Sequence, residues 1–179
     1  MFCASDAPVR PAADPRPLPG PQEAAGPWIL RPPGPSGPRP TAVGGLPEAV
    51  LFDRDGTLVE DVPYNGDPDR VRPMRRARAA LAVLREHGVR IGVVSNQSGV
   101  ARGLLTRRRV EAVTRRIEEL LGPFGIWAYC PHGPGDGCRC RKPAPGLVLA
   151  AAHCLGVDPA RTAVIGDIGA DVTAAYAAG

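Results

Sequence analysis

The sequence has few aromatic side chains and no long hydrophobic run, and both shortages exclude classes of protein. Aromatic residues make up 4% of the 179 residues, too few for the stacking platforms that bind single-stranded nucleic acid. No apolar stretch approaches the roughly 18 residues that a membrane span needs. The start of the chain shows no basic segment followed by an apolar stretch, which is the pattern of a secretory signal. We therefore expect a cytoplasmic protein that binds neither nucleic acid nor a membrane.

Lysine is almost absent from an otherwise basic chain. The chain contains 22 Lys and Arg residues and has a formal net charge of +4. Only Lys142 among these residues is a lysine. A chain with this bias is expected to keep lysine where a compact ammonium is needed instead of a planar guanidinium. The scarcity of lysine therefore singles out Lys142 as a candidate functional residue.

Residues 1–46 differ in composition from the rest of the chain. Twelve of the first 40 residues are proline, and such a segment cannot bury enough apolar surface to offset the entropy lost on ordering. We predict a disordered or polyproline-like tail there, with a proline-rich partner site as the alternative. Residues 47–179 are predicted to form one folded domain.

Short apolar strands alternate with helices from Pro47 onward. The predicted strands are 49–52, 89–94, 126–129 and 162–165, and the predicted helices are 73–84, 106–121, 145–155 and from about 170 to the end. Fully apolar strands that alternate with helices indicate an α/β fold, with a parallel sheet covered on both faces. Active sites of such sheets lie beyond the carboxyl ends of the strands.

Polar groups follow every predicted strand. Asp53 and Asp55 come directly after the first strand, and two carboxylates so close repel each other unless a cation lies between them. Carboxylate oxygens suit Mg²⁺, although a turn with two aspartates is the alternative. Asp167 follows the last strand and is a further candidate ligand, supported from behind by Asp171; a favourable charge in the first helical turn is the alternative for Asp171.

Two further strand ends carry groups suited to phosphate. The loop that starts at Ser95 offers hydroxyl, amide and backbone N–H groups that can surround a phosphate, although it also fits an ordinary polar loop. Lys142 follows the third strand after an excursion, and its ammonium can neutralise phosphate charge.

The excursion before Lys142 contains three cysteines and one histidine: Cys130, His132, Cys138 and Cys140. This set matches a tetrahedral zinc site, and four protein ligands make such a zinc structural. A disulfide pair or unrelated thiols are the alternatives, but disulfides are rare in the cytosol. The zinc is expected to hold a loop whose end carries Arg141 and Lys142.

The order of these motifs resembles the haloacid dehalogenase (HAD) superfamily of phosphohydrolases over about residues 48–178. The motifs are Asp-x-Asp-Gly-Thr at 53–57, Ser-Asn at 95–96, Lys-Pro at 142–143 and Gly-Asp-x-x-x-Asp at 166–171. The resemblance implies a HAD-like, Rossmann-type three-layer fold. It also implies that Asp53 attacks phosphorus to form an aspartyl-phosphate, and that Asp55 protonates the leaving oxygen and then activates water.

The resemblance also implies the ligand sets. Mg²⁺ would be held by Asp53, the backbone carbonyl of Asp55, and Asp167. Ser95 and Lys142 would bind the transferring phosphoryl group. The short stretch between Asp55 and the first helix implies that no large cap domain is inserted there, and the zinc loop would partly fill that role.

Residues 95–103 and 130–143 look like those of the D-glycero-D-manno-heptose-1,7-bisphosphate phosphatases and the related histidinol-phosphate phosphatases. This narrower resemblance implies six substrate-contacting residues: Asp61, Tyr64, Asn96, Gln97, Ser98 and Arg141. Ile168 departs from the pattern, because lysine commonly stands there. We also expect a missing edge strand, because the chain stops at Gly179 where relatives continue.

Three functions are open at this point. The first is removal of the 7-phosphate from a heptose bisphosphate. Arg54, Arg102 and Arg141 favour this substrate because it is anionic and carries two phosphates. The second is hydrolysis of histidinol phosphate, a basic substrate that the acidic residues from Glu60 to Asp69 would suit. The third is a truncated, non-catalytic zinc-loop binding module. The sequence does not indicate the oligomeric state.

Overall fold

Five strands form one sheet in the computed structural model, which describes residues 26–31 and 45–179. They are β1 (Trp28–Leu30), β2 (Ala49–Phe52), β3 (Arg90–Asn96), β4 (Ile126–Cys130) and β5 (Thr162–Ile165). Their order across the sheet is β1-β4-β3-β2-β5. Strands β2 to β5 are parallel to one another, whereas β1 pairs with β4 in the antiparallel sense. The predicted α/β fold with a mostly parallel sheet is confirmed.

Helices cover both faces of this sheet. They are α1 (Ala77–Glu86), α2 (Arg107–Leu121), α3 (Gly146–Leu155) and α4 (Gly169–Ala178). Successive side chains of a strand point to opposite faces, so Val50 packs in one core with α1 and α2 while Leu51 packs in the other with α3 and α4. The described helices include none that is long and apolar enough to cross a membrane.

Helix α2 follows the sequence pattern closely. The Thr106 side chain accepts a hydrogen bond from the backbone N–H of Arg109 and caps the first turn, as Thr commonly does. Val110, Val113 and Ile117 form its buried stripe, at the spacing of an amphipathic helix.

Helix α1 begins later than predicted, at Ala77 instead of residue 73. The backbone of this segment is already paired elsewhere, because Met74 N–H donates to the carbonyl of Leu58 and Pro73 forms an isolated bridge with Val59. These long-range bonds keep Pro73 and Met74 out of the helix, and Arg75 and Arg76 form a turn before it, which no local signal indicates.

The strand β1 lies within the segment predicted to be a disordered tail, and this part of the prediction is wrong. Trp28 pairs with Tyr129 and Leu30 with Trp127, while the Trp28 ring is 7% exposed and lies 5.4 Å from the Arg107 guanidinium. The prediction used the proline content of 1–46 as a whole. It therefore missed three consecutive apolar residues that pair with the edge of the sheet at β4. Residues 1–25 and 32–44 of the predicted tail lie outside the described residues.

Candidate active site

The predicted catalytic residues meet in one cavity at the carboxyl ends of the central strands. It measures about 310 Å³, and its lining includes Asp53, Asp55, Ser95, Lys142 and Asp167. Parallel strands bring these residues together because their carboxyl ends lie at the same edge of the sheet. The volume is at the lower end of small-molecule sites, which suits a small ligand.

Asp53 lies at the exit of β2, where its backbone N–H donates to the carbonyl of Ile165 across the sheet. Its carboxylate Oδ1 is 2.6 Å from the ammonium of Lys142. Burial raises the pKa of Asp53 to about 6, although Lys142 opposes this rise. Asp53 therefore combines a partly desolvated carboxylate with one fixed cationic partner.

Lys142 is buried, and three groups surround its ammonium. The nitrogen donates to Asp53 Oδ1 at 2.6 Å and to the Val94 carbonyl at 2.8 Å, and it is 2.5 Å from Asp171 Oδ1. The first two contacts are hydrogen bonds, whereas the contact with Asp171 Oδ1 is an ion pair. The residue that the scarcity of lysine singled out thus places its ammonium among three oxygen atoms.

Asp171 contacts Lys142 and the start of α4. Besides the ion pair with Lys142, its Oδ2 accepts from the backbone N–H of Ile168 at 3.3 Å. Its side chain is 1% exposed. Asp171 thus supports the site chiefly through the ammonium.

Asn96 holds the backbone of Lys142 with both ends of its side-chain amide. Its Nδ2 donates to the Lys142 carbonyl at 3.0 Å, and its Oδ1 accepts from the Lys142 N–H at 3.1 Å. The resemblance placed Asn96 among the substrate contacts, and it lines the cavity while one donor and one acceptor position of its amide bind the Lys142 backbone. The sequence does not distinguish binding of the substrate from binding of the Lys142 backbone, because an asparagine side chain can do either.

Asp55 belongs to a hydrogen-bonded group with Arg54, Gln97 and Ser95. Arg54 Nη2 is 2.8 Å from Asp55 Oδ2 and 3.1 Å from Gln97 Oε1. Gln97 Nε2 donates to Asp55 Oδ2 at 3.0 Å and to Ser95 Oγ at 2.9 Å. Arg54 is 1% exposed and lines the cavity, and its Nη1 has no hydrogen-bond partner among the described residues.

Three carboxylates converge where Mg²⁺ was predicted. Oxygen atoms of Asp53, Asp167 and Asp171 lie within 4.8 Å of one another. Gly56 has a φ of 79° and faces the Asp167 carboxylate, and an added Cβ there would overlap it. The glycine therefore permits both the turn and the close approach. Asp53 and Asp167 line the cavity and Asp171 does not, so Asp53 and Asp167 are the carboxylates whose oxygens fit a hard cation there.

The rim of the cavity is formed by the segment between Asp55 and α1 and by the loop after β3. Asp61, Tyr64 and Ser98 line it, as does Ile168. The Tyr64 hydroxyl accepts from Arg102 Nη1 at 2.7 Å, and this guanidinium lies 5.5 Å from the Tyr64 ring centre. These residues therefore lie on the side of the cavity away from the strand ends.

Arg141 is not among the residues that line the cavity. Its Nη1 donates to the His132 carbonyl at 3.4 Å, which places the side chain beside the zinc loop. The contact between Arg141 and the substrate stays a prediction.

The three thiols and the imidazole of the zinc loop come together beside β4. Cys130 Sγ lies 3.7 Å from Cys138 Sγ and 3.4 Å from His132 Nδ1, and Cys140 Sγ lies 3.2 Å from the same nitrogen. A disulfide needs sulfur atoms about 2.05 Å apart, so the sulfurs are not bonded. Zinc–sulfur bonds of about 2.3 Å in a tetrahedron give sulfur–sulfur distances of about 3.8 Å, which this spacing matches.

Burial raises the pKa of the Cys130 thiol above its ordinary value. A thiol in this environment favours its neutral form until a cation displaces the proton, because metal ligands must be deprotonated. The donor set, spacing and burial thus all fit a bound zinc ion.

Comparison with known proteins places this chain near a group of phosphatases. A family model of haloacid dehalogenase-like hydrolases matches residues 64–179. The D-glycero-beta-D-manno-heptose-1,7-bisphosphate 7-phosphatase of Pseudomonas aeruginosa is 38% identical over 133 residues, which cover 72% of this chain and 75% of that protein.

Two crystal structures resemble the fold. A protein from Mesorhizobium loti assigned to the HAD-like phosphatases has a TM-score of 0.75 at 34% identity, covering 90% of this chain and 79% of that one. A D,D-heptose 1,7-bisphosphate phosphatase from B. bronchiseptica, complexed with magnesium and phosphate, has a TM-score of 0.68 at 33% identity, covering 73% of this chain and 76% of that one.

Proposed function

The chain belongs to the haloacid dehalogenase-like hydrolases and is a phosphatase, and from this premise we propose its substrate, cofactors and residue roles. The proposed reaction is magnesium-dependent removal of the 7-phosphate of D-glycero-D-manno-heptose 1,7-bisphosphate through an aspartyl-phosphate. The observation that carries the proposal is the Asp53 carboxylate, held 2.6 Å from the Lys142 ammonium in a cavity that Asp55, Ser95 and Asp167 also line.

In the first step a carboxylate oxygen of Asp53 attacks phosphorus, and the bond from phosphorus to the sugar oxygen breaks. Asp55 gives its proton to that oxygen and later takes one from the attacking water. The Lys142 ammonium neutralises charge on the phosphoryl group, and the Ser95 hydroxyl donates to one of its oxygens. Phosphoryl transfer depends mainly on such positioning and charge neutralisation.

Asp53, Asp167 and the backbone carbonyl of Asp55 would hold Mg²⁺, which supplies further charge neutralisation at the phosphate. These two carboxylates line the cavity, whereas Asp171 does not. The HAD-like relative whose crystal structure contains magnesium and phosphate supports this assignment.

The choice of substrate rests on the relatives and on the size of the cavity. The curated relatives at 34–38% identity are named for heptose bisphosphate, and a cavity of about 310 Å³ suits a small phosphate ester. Asp61, Tyr64 and Ser98 would contact the sugar from the rim. Arg102, one of the three arginines predicted to favour a second phosphate, donates to Tyr64 at this rim.

Zinc would be held by Cys130, His132, Cys138 and Cys140, and all four positions would be filled by protein. Such a site is structural. It would fix the loop that ends at Lys142, and Arg141 would tie this loop together through the His132 carbonyl. Free thiols at these positions and at Cys154 suit a reducing compartment such as the cytoplasm.

The test is phosphate release from heptose 1,7-bisphosphate and from histidinol phosphate, measured in parallel with and without Mg²⁺. We expect magnesium-dependent release with a higher kcat/KM on the heptose bisphosphate, and phosphate lost from position 7 by NMR. A higher kcat/KM on histidinol phosphate would contradict the substrate. No release from either ester, together with none from p-nitrophenyl phosphate, would favour the non-catalytic binding module.

A further inference from the structure

We propose that Arg54 and Gln97 form a positioning pair that fixes the Asp55 carboxylate for proton transfer and turns the Ser95 hydroxyl toward the phosphate. This inference rests on the proposed function, because it assigns the control of two of its groups. It also changes the role of Gln97, which the sequence resemblance placed among the substrate contacts.

Arg54 holds the carboxylate of its own neighbour in the chain. Its Nε lies 3.0 Å from both oxygens of Asp55, and its Nη2 lies 2.8 Å from Oδ2. A guanidinium presents its donors in a rigid plane, so these contacts fix the orientation of the carboxylate as well as its charge. With a side chain 1% exposed, Arg54 acts on the reaction through Asp55.

Gln97 connects Asp55 to Ser95, and its contacts determine which way its amide points. The Oε1 atom accepts from Arg54 Nη2 at 3.1 Å, while Nε2 donates to Asp55 Oδ2 at 3.0 Å. The reverse orientation would place an amide oxygen against a carboxylate and an amide N–H₂ against a guanidinium. Arg54 therefore fixes the amide, and the amide reinforces the position of Asp55.

The second hydrogen of the same amide sets the direction of the Ser95 hydroxyl. Gln97 Nε2 lies 2.9 Å from Ser95 Oγ, and Ser95 accepts this bond with an oxygen lone pair. A hydroxyl has one donor and two acceptor positions, so its proton stays available for a phosphoryl oxygen. The Gln97 amide thus positions both Asp55, which protonates the leaving group, and Ser95, which donates to the phosphate.

The proposal predicts a dependence on the leaving group that a purely structural role would not produce. A sugar alkoxide must be protonated as it leaves, so its departure depends on a well-placed acid. The p-nitrophenolate ion is stable at neutral pH and needs no proton. Misplacing Asp55 should therefore slow phosphorylation of Asp53 by a sugar phosphate far more than phosphorylation by p-nitrophenyl phosphate.

The experiment compares Arg54→Lys and Gln97→Met with the wild type in rapid-quench measurements of phosphoenzyme formation, with Mg²⁺ present. Arg54→Lys keeps the charge and removes the planar fork, and Gln97→Met keeps the length and removes both polar ends. We expect each variant to slow phosphorylation by heptose bisphosphate by about 30-fold or more, within the range of general acid catalysis. With p-nitrophenyl phosphate, Arg54→Lys should change the rate by less than about threefold, the size of a minor effect on the barrier. Gln97→Met should slow this ester as well, because Ser95 loses the bond that directs its hydroxyl, but by a smaller factor than it slows the sugar phosphate.

Leu121→Ala is the matched control. Leu121 is a buried residue at the C-terminal end of α2, shortly before β4 begins and therefore at the end of the sheet opposite the site. Its truncation leaves a cavity in the core away from Arg54, Asp55 and Ser95. We expect a lower Tm for this variant and the same ratio of rates on the two esters as in the wild type.

Equal slowing on both esters, or no slowing on either, would overturn the proposal while leaving the proposed function intact. A Leu121→Ala variant with the same selective loss would also overturn it, because the selectivity would then follow from lower stability. If Arg54→Lys does not fold, Gln97→Met decides the outcome alone. Absence of any phosphoenzyme in an active wild type would instead overturn the proposed mechanism, and this inference with it.

Discussion

The side chain of Lys142 illustrates how far a single residue can be interpreted from sequence. Its rarity in the chain indicated a special role, and its ammonium contacts Asp53, Asp171 and the Val94 carbonyl. The partners themselves could not be predicted, because they come from segments 29 to 89 positions away in the sequence. Composition therefore identified the residue, and only the fold identifies its contacts.

The acidity of Asp53 gives a prediction for metal binding. Because burial raises the pKa of this carboxyl to about 6, a proton competes with Mg²⁺ for it below that pH. Calorimetric titration should give an affinity that is nearly constant above about pH 7 and weakens toward about tenfold per pH unit below about pH 6.

Asp53→Asn is the control for this titration. It removes the titrating group, so its weaker affinity for Mg²⁺ should lose most of this dependence on pH. Wild-type affinity that stays constant from pH 8 to pH 5 would show that Asp53 does not contribute its carboxylate to the metal.

Asn96 and Gln97 show where inference from motifs ends at this scale. The sequence placed both residues at the site, but their amides bind Lys142 and the Arg54–Asp55 pair. An amide donates and accepts equally well to substrate and to protein, so its type and position do not predict its partner.

The zinc loop is the element that connects β4 to α3 and carries Lys142 near its end. Its four candidate ligands could be predicted from residue type and spacing alone, since they all lie within one short segment. Its effect on the active site depends on the fold, because Asn96 in β3 fixes the Lys142 backbone that the loop delivers.

Cys140→Ser is predicted to lose the zinc and to displace Lys142. Elemental analysis should give less than half an equivalent of zinc per chain, and kcat for phosphate release should fall by about tenfold or more, as for other groups that orient a catalytic centre. Cys154→Ser is the matched control, since Cys154 is outside the cluster, and it should keep both zinc and activity. Full activity in a zinc-free Cys140→Ser protein would contradict the proposed link between the loop and Lys142.

The strand β1 is the element that the sequence missed. Three apolar residues in a proline-rich segment give no usable period, and their stabilisation comes from pairing with β4 and from burial of Trp28. Pairing across a sheet edge is a long-range event, and local composition does not predict it.

At the scale of the whole molecule, the sheet and its site followed from a simple physical rule. Fully apolar strands between helices indicated a buried parallel sheet, and the polar residues after the strands indicated which end is functional. Within the described residues the sheet ends at β1 on one side and β5 on the other. The chain spans about three quarters of the length of the curated relatives it matches.

The central claim, that Asp53 carries the phosphoryl group, is tested most directly by trapping the intermediate in Asp55→Asn. With p-nitrophenyl phosphate and Mg²⁺ this variant can still be phosphorylated, but it lacks the base that activates water, so the phosphoenzyme should accumulate. Acid quenching followed by peptide mass spectrometry is predicted to locate one phosphoryl group on Asp53. A phosphoryl group on another side chain, or an Asp53→Asn enzyme whose kcat/KM stays within a factor of about 100 of the wild type, would contradict the claim.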